Sequence, residues 1–300
     1  MTQKNENTKG RILRGMTHDG SARLLVMDSR ALVNEMIRLH HTAPTATAAV
    51  GRTLTAASMI GTMLPEDGDT VTVSFDGDGP LGRMIVVADY YGNVKTYMQN
   101  PMADPERKTN GKLDVGAAVG AGTLSFVKDL GDQPPQTGMT SIVSGEIAED
   151  IASYFAVSEQ IPTVLSLGVL VDKDYTCLAA GGVLVQLMPF PDDETVDLIE
   201  RNAMQLPNVS RLLADGEDLT AIADRIMKDI PYDVFDTVCP EYRCDCSRER
   251  MKKKMLSVGR DQLEEMLDEQ QKEGKARELT AVCRFCNTAY TFTEKQLLSK

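Results

Sequence analysis

The sequence predicts an α+β protein in three parts. These are a mixed sheet-and-helix core over residues 1–190, a helical linker over 191–238 and a small C-terminal domain over 239–300. Three observations carry this reading. Early strand-like runs are joined by short hairpin turns with helical patterns between them, which argues for an antiparallel sheet rather than a doubly wound parallel one. The stretch 191–238 holds 12 Asp+Glu against 4 Lys+Arg and reads as short amphipathic pieces. Beyond it, few large apolar residues remain, but four cysteines fall in two tight pairs.

Within the core, residues 22–27, 70–75, 84–88 and 94–98 alternate or run apolar, with turns at Gly20, at 76–79 and at Gly92 and Asn93. These are strand and hairpin signals. Between the first two lie helical patterns. Over 29–40, Leu32, Met36 and Leu39 share a face, and an Ala- and Thr-rich run over 44–63 starts at Pro44 and stops before Pro65. Further strands are expected over 123–128, 140–143, 168–171 and 177–187, with a helix over 146–155. Pro189 and Pro191 close the part.

The linker divides at Pro207. Val196, Ile199 and Ala203 mark one short helix, 210–214 a second, and Leu219, Ile222 and Ile226 a third. Helices this short are marginal in water and depend on docking. We therefore expect them to fold against a partner surface and to cover part of the core. The C-terminal part reads as helices over 247–256 and 261–273 split at Gly259. Strands follow over 281–283 and 289–292, then a helical turn over 293–298.

The chemistry concentrates in Cys244, Cys246, Cys283 and Cys286. They form C-x-C and C-x-x-C pairs separated by 36 residues. Four thiols in two close pairs match the donor set of a closed tetrathiolate zinc site. A domain with so small a core draws much of its folding free energy from such a metal, on the order of 10 kcal/mol or more. The C-x-C pair is unusual for a purely structural clip. Its thiols are close enough to oxidise to one another through a small strained ring, and strained disulfides are the labile ones. Arg243, Arg248, Arg284 and Lys252 to Lys254 would favour thiolate. Spacing leaves a static clip and a redox-switching site both open. Cys239, five residues before Cys244, reads as a non-ligand, since four thiols complete the set. Cys177, in an apolar strand, reads as a small buried hydrophobe.

Composition excludes several classes. No run of about 18 apolar residues offers a transmembrane helix, and the polar N-terminus lacks a signal-peptide apolar region. A reducing cytoplasmic location is expected, where cysteines serve as metal ligands or redox centres. The net charge of −12 argues against a protein built to grip phosphate backbones. Residues 77–82 match G-x-G-x-x-G, but a strand-like run follows instead of a helix, so the motif reads as a hairpin turn. No phosphate-binding G-x-x-x-x-G-K-[ST] loop is present. His18, His40 and His41 are the only histidines, and none stands in a recognisable catalytic context.

CDCSRERM (244–251) followed by VCRFCNTAYTF (282–292) resembles the thirty-three-kilodalton heat-shock protein family of redox-regulated bacterial holdase chaperones. So do the blocks 41–57, 77–86, 144–163 and 179–189, in the family's order. The departures are a longer spacer between Cys246 and Cys283 and the additional Cys239. The resemblance implies one zinc ion held by Cys244, Cys246, Cys283 and Cys286 in a folded, inactive state. It further implies that oxidation forms disulfides Cys244–Cys246 and Cys283–Cys286, releases zinc, and unfolds the C-terminal domain and linker. The apolar surface so exposed would bind unfolding client proteins without ATP. It implies no catalytic residue, no nucleic-acid or membrane partner, and a homodimer when active. Two other classes share these residues: a thiol–disulfide oxidoreductase, and a nucleic-acid-binding zinc module hinted at by the basic run 248–254.

Overall fold

The Ala- and Thr-rich run forms a helix, Pro44–Gly61, and its surroundings explain its composition. Every residue but Arg52 is buried. A helix buried on all sides carries no polar stripe, and small side chains let neighbouring backbone approach. At Gly61 a Cβ would lie 2.4 Å from the Asp89 carbonyl oxygen. The buried hydroxyls are satisfied locally, Thr53 to the Ala49 carbonyl and Thr55 to that of Gly51.

The structure, a computed structural model, describes residues 8–131 and 133–298. The first residues of the polar N-terminus lie outside this range. The chain divides into two compact units, Met1–Arg243 and Cys244–Lys300. The first contains β1 (Arg11–Thr17), β2 (Ala22–Asp28), α1 (Arg30–His40), α2 (Pro44–Gly61), β3 (Thr70–Gly77), β4 (Met84–Asp89) and β5 (Val94–Met98). It continues through α3 (Val115–Val119), β6 (Gly122–Asp129), β7 (Gln136–Ser141) and α4 (Ala148–Tyr154), which runs into a π-helical turn at Phe155–Glu159. Then come β8 (Thr163–Val171), β9 (Cys177–Leu187), α5 (Asp193–Gln205), α6 (Val209–Ala214), α7 (Leu219–Ile226) and β10 (Tyr232–Val238).

Two antiparallel sheets of five strands result, ordered β10-β1-β2-β9-β8 and β5-β4-β3-β6-β7, and α2 touches strands of both. The first sheet is covered on both faces. Leu25, Met27 and Leu184 join the α2 core, while Leu24, Val26, Val183 and Val185 pack with Ile199, Leu212, Ile222 and Ile226 of α5–α7. Double-sided burial is why β2 reads as a continuous apolar run rather than an alternating one.

The acidic stretch 191–238 thus forms its predicted short helices. Asp192, Asn208 and Asp218 cap them by accepting from Thr195, Ser210 and Ala221 backbone N–H groups. Its last segment is a strand, β10, which pairs with β1. The stretch belongs to the first unit, so the observed division is in two, at 243/244, where the sequence suggested three parts. The G-x-G-x-x-G segment is the β3–β4 hairpin turn. The helix expected over 146–155 starts later, because Ile147 sits at φ 63. There the Asp150 carboxylate accepts from the Val143, Ser144 and Ile147 N–H groups.

Just before the second unit, residues 240–243 zip onto the edge of β5. Val94 N–H donates to the Glu241 carbonyl (3.1 Å) and Arg243 N–H to that of Val94 (2.8 Å). The Tyr242 hydroxyl lies 3.0 Å from Thr96 N and 3.2 Å from His40 Nε2.

Candidate metal centre

The second unit is built around a hairpin. α8 (Arg248–Leu256) and α9 (Arg260–Lys272) precede β11 (Glu278–Val282) and β12 (Ala289–Thr293), and α10 (Glu294–Leu298) follows. Its buried apolar cluster, among the described residues, is Leu263, Leu267, Leu279, Phe292 and Leu297. α8 buries none of its residues. Its start is fixed by Ser247, whose side chain accepts from Arg250 N–H, so Cys246 is held immediately before a helix cap.

The other pair forms the hairpin's tip. Val282 pairs with Ala289, so Cys283 leaves β11 as the chain begins to turn. Cys283 N–H donates to the Thr288 carbonyl (2.9 Å) and Asn287 N–H to that of Cys283 (2.7 Å). Asn287 takes φ 55, a left-handed conformation that asparagine tolerates better than most residues.

These two segments bring four sulfurs together. The Sγ atoms of Cys244, Cys246, Cys283 and Cys286 all lie within 4.8 Å of one another. Cys244 and Cys283 are 3.7 Å apart, Cys246 and Cys286 3.4 Å. A tetrahedral ion with metal–sulfur bonds of about 2.3 Å requires separations of roughly 3.8 Å. The donor set therefore fits a metal ion. Both short approaches run between the C-x-C and C-x-x-C pairs. Near-equal separations are inherent to a tetrahedron, so they do not select a disulfide pairing.

The thiols are unequal. Burial, ahead of the neighbouring thiols, pushes the Cys244 and Cys246 thiols up. Burial also acts to raise Cys286, but its contacts with the Thr288 hydroxyl and N–H and with Cys246 and Cys244 outweigh it and bring it down to about 7. A bound cation would favour ionisation of all four.

A model of the family described as "Hsp33 protein" matches residues 10–293. The chain belongs to the Hsp33 family. Among its relatives are proteins named 33 kDa chaperonin from Clostridium botulinum (strain 657 / Type Ba4) and Clostridium beijerinckii. Each is 40% identical, over 96% of this chain and 96% and 97% of theirs, respectively. The crystal structure of the 33 kDa chaperonin (Heat shock protein 33 homolog) from Thermotoga maritima superposes with a TM-score of 0.87. It is 36% identical and covered over 96% of both chains.

The remaining candidates are not among the residues of this cysteine cluster. Cys239 is exposed and belongs to the first unit. Cys177 is buried, which raises its thiol to about 12, and its backbone N–H and carbonyl are both held by the Asn34 side chain. His18 pairs with Asp233 and His40 with Tyr242. Of the expected cations, Arg248 instead lies 4.6 Å over the Phe292 ring and donates to the Thr291 carbonyl.

Sequence reasoning missed three neighbours of the sulfurs. Arg250 pairs with Asp245, between the C-x-C cysteines. Thr288 places its hydroxyl 3.2 Å from Cys286 Sγ, and Tyr290 places its own 3.1 Å from Cys246 Sγ. Only the packing of the segment before α8 against β12, which is not local in sequence, puts Tyr290 beside a cysteine 44 positions away. Among the described residues no helix is long and apolar enough to cross a membrane.

Proposed function

We propose that this protein is a redox-regulated, ATP-independent holdase chaperone of the bacterial cytoplasm. In the resting state Cys244, Cys246, Cys283 and Cys286 hold one zinc ion as thiolates. Zinc would offset two of their four negative charges and join the two cysteine segments. Oxidation forms Cys244–Cys246 and Cys283–Cys286. Each pair of thiolates gives two electrons to a peroxide, whose O–O bond breaks to leave, with two protons, two waters. The sulfurs then no longer serve as a closed donor set, and the second unit loses its main support. Residues 191–238 are released in turn, and the sheet face of Leu13, Leu24, Val26, Val183 and Val185 becomes available to unfolding clients. The active form is a homodimer.

The observation that carries this reading is the four-sulfur cluster in a unit whose fully buried apolar cluster, among the described residues, is five side chains. The family and the relatives' name, 33 kDa chaperonin, support the chaperone role. An oxidoreductase is less well supported. Such enzymes place C-x-x-C at a helix N-terminus beside a strand, whereas here it forms the tip of an antiparallel hairpin. The acidic total weighs against nucleic acid as a partner.

The test follows zinc release, free thiols and suppression of client aggregation together during peroxide treatment with warming. All three should change in step. A gain of holdase activity with zinc retained would reject the switch, and turnover of a disulfide substrate would favour the oxidoreductase.

A further inference from the structure

Tyr290 lies on β12, one pair in from the hairpin tip and opposite Ala281. Its ring packs against the Leu263–Phe292 cluster. Its hydroxyl is 3.1 Å from Cys246 Sγ and 3.4 Å from the Cys246 carbonyl oxygen. A metal-bound or ionised sulfur carries no hydrogen, so toward a thiolate the phenol must be the donor. Hydrogen bonds to ionised acceptors are the stronger kind.

We propose that Tyr290 is a positioning residue of the thiol switch. Its hydroxyl holds Cys246 in the donor set and damps the reactivity of that one sulfur. The inference rests on the function proposed above.

The asymmetry among the four sulfurs gives it content. Cys286 has the Thr288 hydroxyl and Cys246 that of Tyr290. Cys244 and Cys283 face each other at 3.7 Å, with no side-chain hydroxyl among their described contacts. Each sequence pair therefore holds one hydroxyl-bonded sulfur and one without. A donated hydrogen bond draws electron density from a thiolate and weakens it as a nucleophile, while fixing its direction as a ligand.

In the first oxidation step a thiolate attacks one oxygen of hydrogen peroxide and the O–O bond breaks. The sulfur becomes a sulfenic acid and hydroxide leaves. A second thiolate then attacks that sulfur, displacing another hydroxide as the S–S bond forms. Tyr290 disfavours Cys246 as the first attacker, so the sulfenic acid forms first at another of the four sulfurs.

The experiment uses the full, reduced, zinc-loaded chain and Tyr290→Phe, which keeps the ring in the cluster and removes only the hydroxyl. Thr280→Val is the control. It removes a hydroxyl from the same hairpin, where Thr280 pairs only with Thr291 across the strands. Zinc transfer to a chromogenic chelator and the site of first oxidation, by sulfenic-acid trapping and mass spectrometry, are read separately.

Tyr290→Phe should weaken zinc retention about tenfold and raise the share of sulfenic acid at Cys246 severalfold, with Thr280→Val unchanged. Unchanged retention and trapping in Tyr290→Phe would overturn the proposal, as would an equal loss in both variants, which would mark generic hairpin weakening. A parent chain that binds no zinc fails the proposed function itself, so the two failures are distinguishable.

Discussion

The two units hold their folds by different means. In Met1–Arg243, α2 is buried almost without exception and a sheet is covered on both faces. The large apolar area removed from water is there the main stabilising term. Among the described residues of Cys244–Lys300 the buried apolar cluster is Leu263, Leu267, Leu279, Phe292 and Leu297, to which α8 adds only the partly buried Met251 and Met255. Ordering each residue costs about 1–2 kcal/mol of backbone entropy, which so few side chains do not offset. Polar ties help: Arg277 reaches Glu294, Asp268 and Gln271, joining α9, β11 and α10. Such exposed ion pairs contribute little each. On the function proposed above, stability in the second unit would depend on a metal held among the four sulfurs, and a chemical event at those sulfurs would decide whether it folds.

Metal removal tests that contrast most severely. Chelation of the reduced protein should abolish amide protection across α8–α10 and the β11–β12 hairpin while α2 stays fully protected. The loss corresponds to on the order of 10 kcal/mol of binding free energy. A second unit that remained protected without metal would show the small core to be sufficient and would remove the basis of the switch.

The next test asks whether the first unit has a weak layer of its own. Ile222 of α7 is fully buried against the β1–β2 face. Ile222→Asp places an unpaired charge there and should cost more than the roughly 2–5 kcal/mol of a truncation to alanine. The expected outcome is loss of hydrogen-exchange protection over α5–α7 with α2 and β3–β6 retained, together with aggregation suppression without oxidant. If the whole unit unfolds in one step, residues 191–238 are an integral layer and cannot act as a releasable cover.

What the sequence made legible follows the same division. The α+β class, the α2 run and the strands 84–89, 94–98 and 177–187 announce themselves because their periodicity or their apolar run is local. β1 and β10 do not. The charges of Arg11, Arg14, Asp233 and Asp236 hide a strand pattern; β1 pairs with β2 locally as well as with β10, and β10 exists only through pairing across more than 200 residues, with Arg14 bonded to Asp236. A register shift beside Gly15 further blurs β1; a Cβ there would meet the Asp233 carbonyl at 2.6 Å. α3 is too short to show a period. The four cysteines were legible from count and spacing, but the hydroxyls that differentiate them were not. Thr288 matters by the turn at Asn287, and Tyr290 by how the segment before α8 meets β12.

A gentler perturbation probes how α5 is tied to the sheet. The Asp19 carboxylate accepts from the Ser21 hydroxyl (2.6 Å) and N–H (3.0 Å) and from the Thr195 hydroxyl of α5 (2.9 Å). These bonds, that from the Ser21 side chain foremost, then that from Thr17, hold its pKa well below the usual carboxylate range. A depressed carboxylate contributes stability that is fully present above its unfolded pKa of about 3.9 and is lost as pH falls toward the folded value. Protection at the start of α5 should therefore be constant from pH 7 to about 5 and decline below about 4. The effect is the smallest of the three because Asp19 is exposed and water screens it. Asp19→Asn keeps the shape, cannot ionise, and should flatten that decline while lowering protection at neutral pH. If the variant followed the parent's pH profile below 4, other carboxylates would govern the acid sensitivity of this layer, and its anchor at Asp19 would be geometric rather than electrostatic.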